Sequence, residues 1–163
     1  MPPGVYHSTT FGPGVTFEIT TDVWRNAANE PSVVTGVDRL AHWFSFISGA
    51  PAAASGPLSD PDAAKASFGG LAGIKVTDVD GTSTIGGVPA VAFDVANEGT
   101  ATATLWSDPE LGTPYLLSPG VSLRVYWLTV EAKPLLVVLE GPTPAFESFM
   151  DEMQPFLEKV AWG

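Results

Sequence analysis

Residues 121–162 constrain the fold more than any other stretch. From Val121 to Val130 apolar and polar side chains alternate. Val121, Leu123, Val125 and Trp127 share one face, and Ser122, Arg124 and Tyr126 share the other. A period of two belongs to a β-strand with one drier face. Leu135 to Leu139 is wholly apolar and rich in β-branched residues, which suits a central strand covered on both sides, although so short a run also fits a buried helical segment. Glu131 to Lys133 can turn the chain between the two runs, and Pro134 fits a strand start.

An amphipathic helix follows. Thr143 is a natural N-cap, with Pro144 at the first helical position, where a missing N–H costs nothing. Phe146, Phe149, Met150, Met153, Phe156, Leu157 and Val160 recur at spacings of three and one, the stripe of a helix with a face to bury. Pro155 interrupts that stripe and predicts a kink. The expected fold class is α+β: a mainly antiparallel sheet, this long C-terminal helix packed on one face, and a shorter helix in the middle of the chain.

The rest of the chain supplies the sheet. Residues 1–14, rich in Pro, Gly, Ser and Thr, are expected as a loose N-terminal arm to a single domain over 15–163. Val15–Ile19, Ser32–Val37 and His42–Ile47 read as strands, with Asp22–Arg25 as a turn carrying Trp24. Residues 48–61 suggest a mobile surface loop, and Ser59 or Asp60 can cap a short helix starting at Pro61. Lys75–Val79 and Thr82–Ile85 flank Asp80–Gly81, a strong hairpin signal, and Gly86–Gly87 allows a second reversal. Val88–Val95 and Thr100–Leu105 complete the strands, and residues 107–120 read as a long connection.

Charge and composition exclude several functions. Eighteen acidic residues against seven basic give a net charge of −11. Nucleic acid and anionic membrane are poor partners for such a surface. No apolar run approaches a membrane span. The absence of cysteine removes disulfides, thiolate metal sites and cysteine nucleophiles. Met1–Gly4 has no signal-peptide pattern, so the protein is either cytoplasmic or exported with its leader removed.

Motifs for chemistry are sparse. His7 and His42 are the two histidines, and Ser67 lacks the nucleophile-elbow pattern. Asp78–Gly81 imitates a calcium loop, but the glycine falls too early and the twelfth position is Pro89. No phosphate cradle is present, and no metal or cofactor is expected. Asp94, Asp108 and Glu110 are the carboxylates that acid–base chemistry in the 94–110 region would use. Trp24, Trp43 and Trp106 stand beside turns or loops and are candidates to line a cleft. Arg124 and Tyr126 share a strand face on which an Arg in an acidic protein invites an anionic or polar ligand. The structural alternative is that Arg124 pairs with a carboxylate and the tryptophans fill a core.

Tyr6 to Phe11, the Phe17 strand leading to Trp24–Asn26, Ile85 to Asp94, Leu117 to Tyr126 and the helix closing on Ala161–Gly163 together resemble actinobacterial extracytoplasmic domains. Their order is similar to the PsbP-like fold, to which LpqN-type mycobacterial lipoproteins are also likened. That resemblance implies an antiparallel sheet with helices packed on it, as a PsbP-like sandwich, and an extracytoplasmic setting. It carries over no catalytic residue. Three functions follow as expectations. The first is a non-enzymatic binding or sensory module for a small molecule or protein. The second is a small hydrolase-type enzyme using carboxylates of the 94–110 region. The third is a structural interaction domain of a longer protein.

Overall fold

A computed structural model describes residues 1–49, 51–53, 56–108 and 112–163. The elements run β1 (Gly4–Ser8), β2 (Val15–Ile19), β3 (Arg25–Asn29), β4 (Val33–Val37), β5 (Trp43–Ser48), β6 (Ala52–Ala53), β7 (Gly56–Pro57), α1 (Pro61–Gly69), β8 (Ile74–Asp78), β9 (Ser83–Ile85), β10 (Val88–Asn97), β11 (Ala103–Ser107), β12 (Pro114–Leu117), β13 (Val121–Val130), β14 (Lys133–Pro142), α2 (Phe146–Glu158) and β15 (Ala161–Trp162). The central sheet has the order β3-β4-β5-β14-β13-β10-β8, with β9 also paired to β10, and its pairings are antiparallel. The class is therefore α+β with a mainly antiparallel sheet and a C-terminal helix.

Alternation along the central strands builds a core on each face. Tyr126, Leu128 and Val130 of β13, Val137 and Leu139 of β14, and Phe44 and Phe46 of β5 pack with Phe149, Met150, Met153 and Leu157 of α2. Leu123, Val125 and Trp127, with Leu136, Val138 and Ile47, face the other way and pack with Phe68 of α1 and with Leu105, Trp106 and Leu117 of the β11–β12 hairpin. The single drier face expected of β13 is thus two buried faces, because α1 and a second sheet of order β12-β11-β6-β7 cover the side opposite α2.

Helix α2 is held at its end as well as along its stripe. The Gly86 amide donates to the Leu157 carbonyl at 3.0 Å, and Trp162 Nε1 donates to the Ile85 carbonyl at 3.1 Å. Gly86 sits at φ +57°, and a Cβ there would lie 2.1 Å from the Val160 carbonyl oxygen, so only glycine fits this junction. Beyond α2, β15 pairs with β2 and closes a third sheet, β1-β2-β15.

Several local expectations are corrected. Residues 143–145 form a 3-10 turn before α2, and the Thr143 hydroxyl bonds Ser122 at 2.8 Å, so it does not cap the helix. The Asp80–Gly81 hairpin does not form. β8 and β9 both pair with β10, at Asp78↔Phe93 and Ser83↔Ala90, and are pieces of one edge separated by an outward excursion. The reversal occurs at Gly86–Gly87, where both residues have positive φ, as a tight two-residue turn requires. Gly4–Ser8, read as part of a loose arm, is strand β1, paired along its length with β2. Arg25–Asn29 is an edge strand rather than the end of a turn, and residues 107–120 contain β12. The segment read as a loop over 48–61 carries β6 and β7, with Ala50, Ala54 and Ser55 outside the described residues. The short helix starts as expected: Asp60 accepts from the Ala63 amide at 2.8 Å, with Pro61 next.

Candidate functional site

The β11–β12 hairpin does not cover the whole outer face of the sheet. Between it and the β3–β4–β5 edge lies a groove of about 510 Å³. Its floor comes from alternate residues of the sheet: Thr35 on β4, Trp43 and Ser45 on β5, and Glu140 on β14. Strand pairing brings these together, since Trp43 is registered opposite Glu140, and Thr35 opposite Ser45. The facing wall is Trp106, Tyr115 and Leu116 of the hairpin. Trp106 and Tyr115 stack with centroids 4.2 Å apart, which fixes the tyrosine ring.

Glu140 is a half-buried carboxylate on the floor of this groove. Tyr115 Oη donates to Glu140 Oε2 at 2.6 Å, and the Thr35 and Ser45 hydroxyls bond each other at 3.0 Å. Burial pushes the Glu140 carboxyl up from its ordinary range, and the Tyr115 hydrogen bond opposes only part of that. Burial, and then the Glu140 charge, raise the Tyr115 hydroxyl well above its ordinary value, so Tyr115 stays a donor. A perturbed carboxylate in a mostly apolar groove is a common mark of a binding or catalytic site.

The Glu140 shift has a testable sign. The folded state holds this proton to higher pH than the unfolded chain does. Folding stability therefore falls as pH rises from the unfolded pKa through the folded one. Gln at position 140 keeps an acceptor for Tyr115 and cannot titrate. The melting temperature of Glu140→Gln minus that of the wild type is expected to increase between about pH 4 and pH 7. A difference that stays constant over that range contradicts the assignment.

The five ligand candidates from the sequence do not converge. Trp43 and Trp106 line the groove. Trp24 is buried on the α2 face, with its ring 5.0 Å from Phe44 and 6.4 Å from Phe149. Tyr126 is buried in the same core. Arg124, on that face too, is committed to Asp94 on β10: Nε donates to Oδ1 at 2.7 Å and Nη2 to Oδ2 at 2.8 Å. Its guanidinium also lies 6.0 Å from the Phe146 ring centroid. These hydrogen bonds hold its proton more firmly still.

Of the carboxylates named for acid–base chemistry, Asp94 and Asp108 do not meet. Asp94 is on the α2 side of the sheet, Asp108 lines the groove on the other side, and Glu110 lies outside the described residues. Asp78 pairs with Lys65 at 2.9 Å. His42 is buried, with Nδ1 2.9 Å from Asp38 Oδ2 and its ring stacked on Phe149, and His7 Nδ1 bonds the Thr16 hydroxyl at 2.7 Å. Among the described residues no three His, Asp or Glu side chains cluster closely enough to hold a metal ion, and no helix is long and apolar enough to cross a membrane. Glu140 and Tyr115 were not singled out by sequence. The available signal was a lone carboxylate directly after the apolar run Leu135–Leu139.

No family model matches the chain, and no curated protein matches it in sequence. Similarity is structural. The solution structure of cyanobacterial PsbP (CyanoP) from Synechocystis aligns with a TM-score of 0.56 at 10% identity, over 99% of this chain and 93% of that one. A point mutant of the protein Mog1 aligns with a TM-score of 0.50 at 10% identity, over 98% of this chain and 96% of its own. The chain thus has a PsbP-like α+β fold; identity this low speaks to fold alone.

Proposed function

We propose that this domain is a binding module that takes a small ligand in the groove between the β3–β4–β5 edge and the β11–β12 hairpin. One observation carries the reading: a mostly apolar concavity of about 510 Å³ has an aromatic wall and the half-buried Glu140 carboxylate on its floor. Its volume lies within the range of small-molecule sites, and its few polar groups are already placed by strand pairing. A second concavity of similar volume, by Asp60 and Trp127, offers less, because Asp60 is engaged as the cap of α1. The enzyme alternative is less favoured: Asp94 stands on the opposite side of the sheet from Asp108 and is committed to Arg124, while Glu110 lies outside the described residues.

Tryptophan fluorescence across a small-molecule panel tests the reading. Ligands of the groove are expected to change the emission of the wild type, and Trp43→Leu is expected to lose most of that response. A flat response across the panel, or one untouched by Trp43→Leu, would overturn it. The resemblance to exported lipoprotein domains supports an extracytoplasmic, LpqN-like setting as part of the same proposal. Fractionation of cells expressing the whole gene tests that part, and recovery wholly in the cytosol removes it.

A further inference from the structure

The chemistry of the groove narrows what it takes. Among the described residues, three carboxylates line it: Glu30 near the β3–β4 turn, Asp108 at the end of β11, and Glu140 on the floor. None of the seven Lys and Arg side chains, and neither histidine, is among its lining residues. The half-buried Glu140 carboxylate is also incompletely used. Tyr115 occupies Oε2, and among the described residues no donor reaches Oε1. Trp43 is registered beside Glu140 on the neighbouring strand and adds an aromatic face. Aromatic faces attract cations through the ring quadrupole, most strongly for Trp. The net charge of −11 draws cations toward the surface and repels anions.

We propose that the groove binds a small organic cation, an alkyl- or arylammonium whose charged head rests on Glu140 and Trp43 and whose apolar body lies along Tyr115 and Leu116. This rests on the reading of the groove as a ligand site and specifies the ligand's class. An anionic ligand would face Glu140 and Glu30 with no Lys, Arg or His among the lining residues. A neutral apolar one would leave Glu140 Oε1 desolvated without a partner, which is costly. An ammonium head supplies what the carboxylate lacks while its body fills the apolar space.

Three probes with one phenyl-bearing body separate the possibilities: phenethyltrimethylammonium, 2-phenylethanol and 3-phenylpropionate. Titrations of the wild type are followed by calorimetry and by the tryptophan indole N–H signals. The cation is expected to bind about tenfold or more tightly than the alcohol, and the anion most weakly. Glu140→Gln is expected to abolish the preference for the cation while leaving the alcohol's affinity nearly unchanged. If Glu140→Gln fails to fold, Trp43→Leu is read the same way and should cost the cation more than the alcohol. Equal binding of cation and alcohol in the groove would overturn the cation assignment and leave the groove as a binding site. Failure of all three probes to perturb the groove at millimolar concentration would overturn both.

Discussion

Phe149→Ala is expected to destabilise the fold by about 3–5 kcal/mol, a large part of what holds a typical domain together. Phe149 is 2% exposed on the buried stripe of α2. Its ring stacks on His42 at 4.2 Å and 7° and lies 6.4 Å from Trp24. The neighbouring backbone has already been pared to glycine: a Cβ at Gly141 would meet His42 Cδ2 at 2.8 Å and Phe149 Cδ1 at 3.4 Å. Packing this close leaves little room for collapse, so the deleted ring would leave a cavity and uncover the His42–Asp38 pair. Urea denaturation measures the effect. Leu40→Ala, at a side chain that is 70% exposed, serves as the control and should stay within about 0.5 kcal/mol. A loss below about 1 kcal/mol for Phe149→Ala would mean that α2 is not the main cover of its sheet face.

Arg124→Ala should cost roughly 3 kcal/mol for a different reason. Asp94 and Arg124 are register partners on β10 and β13, and their two hydrogen bonds lie in a half-buried site beside Phe146. Removing the guanidinium leaves the carboxylate partly desolvated and without its partner. Removing both charges avoids that, so Arg124→Leu combined with Asp94→Val is expected to recover much of the loss. The same denaturation series checks this. A double variant no more stable than Arg124→Ala would show that packing of the arginine stem, not the stranded carboxylate, sets the cost. The geometry also explains why Arg124 is a poor candidate for recognising a ligand: its Nε and Nη2 edge is committed to Asp94, and it lies on the sheet face away from the groove.

The elements legible in the sequence are those whose burial leaves a periodic trace. Val121–Val130, Leu135–Leu139 and the stripe from Phe146 to Val160 announced two central strands and a packed helix, because side chains there are sorted by face. Arg25–Asn29 gave no such trace, since an edge strand with four of its five residues exposed has no dry face to mark it. Asp80–Gly81 misled because a local turn preference competes with pairing to β10, and Gly86–Gly87 satisfies the reversal a few residues later. The groove was half legible. Trp43 and Trp106 stood out as aromatics beside loops. The Tyr115–Glu140 contact spans 25 residues and depends on how the hairpin folds over the sheet, which no local pattern encodes.

The claim that the outer-face groove is the ligand site is tested most directly by indole N–H signals of the five tryptophans during titration with phenethyltrimethylammonium. Trp43 should shift most and Trp106 next, while Trp24, Trp127 and Trp162, which do not line the groove, stay in place. Shifts confined to Trp24, Trp127 or Trp162, with Trp43 unmoved at saturation, would contradict it.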